Sequence, residues 1–331
     1  MIFHLLGFAI AFLVSLYGTP IARKAALKFG IVDKPDGHLK SHREPVPYLG
    51  GLSIYLAFLL SLSFTFSFSQ EVLGIILSGT LVLILGLIDD LGVLSPQVKL
   101  VGQFIAIFIL IKSGIYIQLA FLPFWLQVTL TVIWLIVLVN AFNLIDVMDG
   151  LSAGVACLSA LVLFFISALN GAEMIAMMSI TLCGSLLGFL RYNFRPAKIF
   201  MGDCGSLFVG LMLGALAMNG SYTQINTVAM LAPIFILGVP IFDTFFVSYI
   251  RFRRGMSIFK GSQDHFALRL RKWALSVEQT VLLSYGVTLV LGLLGILLIQ
   301  VSIEKAVFLV GITFLVLTLV GFFLKRIDMK L

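Results

Sequence analysis

Apolar stretches long enough to cross a bilayer follow one another along almost the whole of this chain, and they decide what it can fold into. About 17 to 25 apolar residues cover roughly 30 Å of hydrocarbon as helix. Eleven such stretches can be marked, at about 2–22, 48–69, 72–88, 100–117, 125–145, 151–169, 172–190, 204–220, 226–250, 279–300 and 305–324. With 60% hydrophobic and 11% charged residues, the 331-residue chain has too few polar side chains to cover a soluble globule of its size. The expectation is an all-α polytopic membrane protein. No linker, low-complexity run or internal repeat interrupts residues 1–331, so one domain is expected. The first stretch has no small-residue cleavage site and reads as a retained helix rather than a signal peptide. Cys157, Cys183 and Cys204 are odd in number and lie in or beside apolar stretches, which makes them small hydrophobes rather than disulfide partners.

Charge sets the orientation. Twenty of the 22 Lys and Arg residues fall in alternate loops and at the C-terminus, and the other loops hold only Lys112 and Lys305. By the positive-inside rule the first set is cytoplasmic, so an odd number of spans puts the N-terminus outside and the C-terminus inside. The net charge of +7 is then either this topology signal or an attraction for an anionic substrate. Acidic residues contribute little to topology. Yet twelve of fifteen lie on the same side, all but Glu71, Glu173 and Glu304. A function on the cytoplasmic face accounts for that bias.

The polar chemistry is concentrated in five cytoplasmic segments. Asp89 and Asp90 end the third stretch. Adjacent carboxylates at the edge of hydrocarbon repel each other, and a helix C-terminus disfavours them, so they call for a cation, a Lys or protons. Lys99 can fold back on them or hold a phosphate. Asn140, Asn143, Asp146 and Asp149 follow at intervals of three and would fan around a regular helix. The two Asn are therefore expected to face the bundle at the end of a span, as interhelical glue or as site residues, with the two Asp on a loop that Gly150 allows to turn. Asp203 lies between Gly202 and Gly205 at the start of a helix, where it is either a plain N-cap or a ligand of phosphate-bound Mg²⁺. The first loop adds Lys40 and His42 before Pro45-Val-Pro47-Tyr-Leu-Gly50-Gly51. The longest loop carries Arg254, Asp264, His265 and Arg269, with Arg251, Arg253 and Arg254 also readable as a juxtamembrane anchor. No Walker loop, dinucleotide glycine pattern, His-Glu-x-x-His helix or nucleophilic serine elbow is present. Such a bowl suits Mg²⁺-assisted phosphoryl transfer to an amphiphilic acceptor, with no nucleic-acid partner.

Four of these patterns occur in order along the chain: Lys40-x-His42-x-x-Pro45-x-Pro47-x-x-Gly50-Gly51, Asp89-Asp90 with Lys99, Asn140-x-x-Asn143-x-x-Asp146-x-x-Asp149-Gly150, and Phe200-Met-Gly-Asp203-x-Gly-Ser206. Together they resemble the polyprenyl-phosphate N-acetylhexosamine-1-phosphate transferases, most nearly those joining UDP-N-acetylglucosamine to undecaprenyl phosphate. The resemblance implies a multi-pass enzyme of a bacterial-type cytoplasmic membrane. It would transfer a sugar 1-phosphate from a UDP-sugar to a polyprenyl phosphate, release UMP and initiate cell-surface glycan synthesis. It implies Mg²⁺, or Mn²⁺ in its place, on Asp203 and Asn143, and phosphate contact by Lys99. Asp89 and Asp90 would lie near the lipid phosphate, Phe200 and Asp146 would contact uracil, and Asn193 would belong to the nucleotide cleft. Lys40, His42, Asn140, Asp149, Arg254, His265 and Arg269 would complete the substrate site, and a homodimer is left open.

The chain departs from the family in its last loop, where relatives carry two or three histidines and only His265 remains. The resemblance leaves Arg269 or Arg254 to take over the missing contact. The absence also ranks a muramoyl-pentapeptide substrate second to N-acetylglucosamine. A different class, an ion-coupled transporter, would use an ionisable group in mid-membrane, for which Asp243 is the candidate.

Overall fold

A computed structural model describes residues 2–33, 45–67, 69–92, 94–220, 222–257 and 262–329. Lys40, His42 and Lys260 lie outside them. The described residues are almost all helical: α1 (Ile2–Phe29), α2 (Gly50–Thr65), α3 (Gln70–Asp90), α4 (Pro96–Lys112), α5 (Phe124–Ile145), α6 (Leu151–Leu169), α7 (Glu173–Asn193) and α8 (Gly202–Met218) form the first part. A 3-10 turn (Thr227–Leu231) then leads into α9 (Ala232–Ile236), α10 (Gly238–Arg253), α11 (Phe266–Trp273), α12 (Val277–Gln300) and α13 (Ile303–Lys325). A two-residue antiparallel pair, β1 (Val32–Asp33) with β2 (Val46–Pro47), joins the two sides of the first loop.

Each of the eleven expected stretches carries helix. Among the described residues seven helices are long and apolar enough to cross a membrane, or eight if one bent pair counts as a span. That bent pair is the expected ninth stretch, which turns by 78° between the Thr227–Ile236 segment and α10. Pro233 and Pro240 stand in the first turns of the two helices flanking the bend, where a missing N–H costs little. α2 and α8 are shorter apolar helices, of 16 and 17 residues.

The chain divides into two compact units, Met1–Gly220 and Ser221–Leu331, although the sequence shows no linker there. In the first unit α8 is the core helix, with every residue from Cys204 to Ala217 buried. Small residues let its neighbours approach it closely, as is common where helices meet in lipid. A Cβ on Gly51 of α2 would lie 2.2 Å from the Gly205 nitrogen, and one on Gly86 of α3 would lie 2.4 Å from the Cys204 Cα. These two contacts set the start of α8 against the start of α2 and the end of α3, so the polar termini of several apolar helices converge. The cysteines are all thiols, with the Cys157 and Cys183 sulfurs 3.6 Å apart between α6 and α7.

Candidate active site

α8 begins at Gly202, whose φ of +73° a glycine adopts without strain. Its first free N–H groups are not capped from within. The carboxylate of Asp90, the last residue of α3, accepts from the backbone nitrogens of Asp203 at 2.7 Å and Cys204 at 3.2 Å. An anion at a helix N-terminus is favoured by the dipole and by the unpaired donors. The plain N-cap reading of Asp203 is therefore replaced: Met201 occupies the cap position, Asp203 lies in the first turn, and the capping carboxylate comes from another helix. This arrangement leaves the Asp203 side chain available to its neighbours.

Those neighbours are the residues that the sequence singled out. Ser95 caps α4 and Pro96 opens it, which places Lys99 in its first turn. The Lys99 ammonium lies 2.6 Å from Asp89 Oδ2 and 2.6 Å from Asp203 Oδ2. From the last turn of α5, Asn143 Nδ2 donates to Asp203 Oδ1 at 2.7 Å and to Ser206 Oγ at 3.0 Å. Asp89, Asp90, Lys99, Asn143 and Asp203 are thus one cluster, drawn from four helix ends. It holds three carboxylates against one ammonium, an excess of acid that attracts a further cation.

The loop after α5 runs beside this cluster. Asp146 is the residue past the helix, and Gly150, at φ +77°, turns the chain into α6 as expected. Burial, followed by the charges of Asp203, Asp90 and Asp149, pushes the Asp146 carboxyl up to about 8. Asp149 Oδ2 accepts from Ala197 N at 3.1 Å. Asn193 is buried, taking Gly150 N on its oxygen at 3.1 Å and giving its amide to Ile199 O at 3.0 Å. It braces the two loops against each other. Phe200 N donates to Pro47 O, and Gly50 N returns the bond to Phe200 O, at 2.9 and 3.1 Å, zipping the entry to α2 alongside the entry to α8.

Some residues stand elsewhere, and some were missed. Asn140 exchanges amide bonds with Gln103 of α4 at 3.0 and 3.4 Å, which is the glue reading of that residue. Gln103 is a single buried amide in an apolar helix, and only its position one helical turn after Lys99 could have marked it. Tyr48 packs 6.4 Å from the Phe200 ring, and burial together with its bond to Asp33 holds its hydroxyl well above the usual tyrosine range. Asp90 and Asp203 are near enough to act on the same hydroxyl. Neither Tyr48 nor Asp33 has a spacing signature.

The last-loop residues belong to the second unit. Asp243 of α10 is fully buried; one oxygen pairs with His265 Nδ1 at 2.7 Å and the other accepts from Phe266 N at 2.8 Å, at the start of α11. Asp243 thus anchors a loop, which removes the observation on which the transporter reading stood. Arg269 is 1% exposed. Its Nε and Nη2 donate to the Asp264 carbonyl and carboxylate at 3.2 and 2.6 Å, and Nη1 donates to Leu324 O and Ile327 O at 3.1 and 2.7 Å. The assignment of Arg269 as a stand-in for the absent histidine is therefore revised: it ties α11 to the end of α13. Arg254, more exposed, forks onto Asp264 at 2.9 and 3.0 Å. Arg269→Ala is expected to cost about 3 kcal/mol of stability, because it takes a buried partner from Asp264. Thermal unfolding in detergent should report that loss, while sugar-nucleotide affinity per folded molecule stays unchanged.

The donor set of the first cluster fits a hard divalent cation. Asp203, Asp89, Asn143 and Ser206 offer oxygens, and Lys99 shows by its two 2.6 Å contacts that a positive charge is at home between the carboxylates. No group of three or more His, Cys, Asp or Glu among the described residues forms a self-sufficient metal site. Mg²⁺ needs none, since one or two carboxylates with phosphate and water suffice.

Residues 72–221, which hold this whole cluster, match the pattern of glycosyl transferase family 4. The chain belongs to that family, within the polyprenyl-phosphate N-acetylhexosamine-1-phosphate transferases that its motifs resemble. It is 32% identical over 330 residues, 97% of this chain and 92% of the relative, to a probable undecaprenyl-phosphate N-acetylglucosaminyl 1-phosphate transferase of Bacillus subtilis (strain 168). A decaprenyl-phosphate N-acetylglucosaminephosphotransferase of Mycolicibacterium smegmatis is 31% identical over 83% of this chain and 77% of its own. An undecaprenyl-phosphate alpha-N-acetylglucosaminyl 1-phosphate transferase of Yersinia pestis is 25% identical over 95% of this chain and 90% of its own.

Proposed function

We propose that this protein transfers N-acetylglucosamine 1-phosphate from its UDP-sugar to a polyprenyl phosphate at the cytoplasmic face of a bacterial membrane, releasing UMP. The observation that carries the reading is the Lys99 ammonium held between Asp89 and Asp203 at 2.6 Å each. It lies where helix ends meet, in a chain whose relatives bear the names given above. An oxygen of the lipid phosphate forms a bond to the sugar-bearing β-phosphorus, and the bond from that phosphorus to the oxygen of UMP breaks. Lys99 neutralises phosphate charge and releases Asp203 as it turns to the substrate. Asp203 and Asn143 would hold Mg²⁺, with Asp89 beside them. When bound, the ion would neutralise the diphosphate and orient the groups in line. Phe200 offers a ring and Asp146 a carboxyl to the uracil; Asn193 and Asp149 hold the loops that carry them. Arg254 and His265 are the last-loop candidates for sugar or diphosphate contact. All eleven stretches would span, with the N-terminus outside.

The test is UMP release by purified protein supplied with a panel of UDP-sugars. Release that needs polyprenyl phosphate and Mg²⁺ and is fastest with UDP-N-acetylglucosamine is expected. Equal release without the lipid would overturn the reading.

A pH dependence follows from Asp146. With its carboxyl pushed up to about 8, it is mostly neutral at pH 7 and gains a negative charge as the pH rises through that value. Affinity for a UDP-sugar in the absence of metal is therefore expected to fall between about pH 7 and 9. Titration calorimetry across that range should show the fall, and Asp146→Asn should flatten it.

A further inference from the structure

The ends of α10, α11 and α13 in the second unit carry a feature that the transfer reaction does not use. α11 is a short amphipathic helix whose inner face is fixed twice over: Asp243 accepts from its first backbone N–H, and Arg269 on that face binds Asp264. Through Nη1, Arg269 also takes the carbonyls of Leu324 and Ile327, which pins α11 beside the charged end of the apolar helix α13. The Trp273 ring lies edge-on to Phe323, 5.2 Å between centroids and at 87°, and Trp273 remains 54% exposed. This contact fixes the depth of α11, because Phe323 stands two residues before Lys325, the last residue of the span. Lys325 Nζ lies 5.2 Å over the Tyr249 ring and donates to its hydroxyl at 3.1 Å. Arg271 and Lys272 immediately precede Trp273, Lys325 and Arg326 closely follow Phe323, and all four are exposed.

Cations and amphipathic rings at the edge of a span are what an anionic headgroup layer attracts, each Lys or Arg contributing about 1 kcal/mol near such a surface. The positive-inside rule asks only that cations be present in the loop. It does not ask for a helix fixed through two buried acidic residues with its basic end beside a Trp at interfacial depth. We propose that Arg271, Lys272, Lys325 and Arg326, with Trp273 at the acyl edge, form a binding site for the phosphodiester headgroup of an anionic phospholipid of the surrounding bilayer. The site rests on the membrane-spanning reading and not on the transfer reaction. Its occupant is a bulk lipid, because the cations are exposed and two of them stand at the end of an apolar helix long enough to span the bilayer.

The experiment uses the full chain in detergent micelles, titrated with dioleoyl-phosphatidylglycerol or dioleoyl-phosphatidylcholine. Thermal unfolding and native mass spectrometry of retained lipid are the two readouts. Phosphatidylglycerol is expected to raise the unfolding temperature and to be retained, and phosphatidylcholine is not. The pair Arg271→Gln and Lys272→Gln should weaken the apparent affinity for phosphatidylglycerol by roughly tenfold or more. Trp273→Ala should shorten retention. The control pair Lys24→Gln and Lys28→Gln removes as many exposed cations from the first unit and should leave both readouts unchanged. An equal loss in the control pair would reduce the effect to bulk charge and overturn the proposal. So would equal retention of the two phospholipids, displacement by millimolar inorganic phosphate, or retention of polyprenyl phosphate alone.

Discussion

Asp203→Asn is expected to lower UMP release by about a thousandfold while the protein still inserts and unfolds close to the wild-type temperature. The size follows from what the carboxylate does in the cluster. It faces Lys99 at 2.6 Å and Asn143 at 2.7 Å, and it offers the one charged oxygen pair that stands at the start of α8 without being used to cap it. Losing a preorganised charge at a phosphoryl-transfer site costs about 10²- to 10³-fold, and losing the proposed Mg²⁺ ligand would add to that. Folding should tolerate the change. The Asn oxygen can still accept from Asn143, Lys99 keeps Asp89, and the α8 N-terminus keeps Asp90. Turnover and thermal unfolding measured on the same preparation separate the two effects. Near-normal turnover in this variant would remove Asp203 from the metal and phosphate site.

The fold was legible because its signal is hydropathy, which needs no knowledge of packing. Every expected stretch became helix, and the site residues at α3, α5 and α8 appeared at helix ends because carboxylates and amides are costly inside lipid. What stayed hidden has a common physical cause, namely that hydrogen-bond geometry between distant segments is not written in spacing. Asp203 looked like a cap because it follows a glycine at a helix start, and only the approach of α3 shows that Asp90 does the capping. Arg269 reads as a ligand only because relatives carry further histidines in this loop and this chain keeps only His265 there. Burial and four protein acceptors give it a structural role instead. Asn140 reads from sequence as glue or as a site residue, and the choice depends on Gln103, a residue 37 positions away. The 78° bend in the ninth stretch was likewise invisible to a hydropathy window, which averages over Pro233 and Pro240.

The remaining question about the acid pair is whether Asp90 removes a proton or holds the site in shape, and the geometry favours the second. Both of its oxygens are occupied by the backbone of α8, at 2.7 and 3.2 Å. A phosphate monoester, with its second pKa near 6, is also mostly dianionic at pH 7 and needs no base to attack. Asp90→Asn keeps one acceptor but loses the charge that the helix N-terminus favours, and it sets an amide N–H against a backbone N–H. Turnover should fall about a hundredfold as Asp203 shifts with the first turn of α8, since small misplacements of a reacting group have effects of that order. A positioning role makes two further demands. The acid limb of the kcat against pH profile should stay at the same pH in Asp90→Asn, whereas loss of a general base would abolish that limb. Gly202→Ala should reproduce the defect with Asp90 intact, because its Cβ would sit 2.6 Å from Asp90 Oδ2 on a residue held at φ +73°. If Gly202→Ala turned over normally while the acid limb vanished in Asp90→Asn, Asp90 would be the base after all.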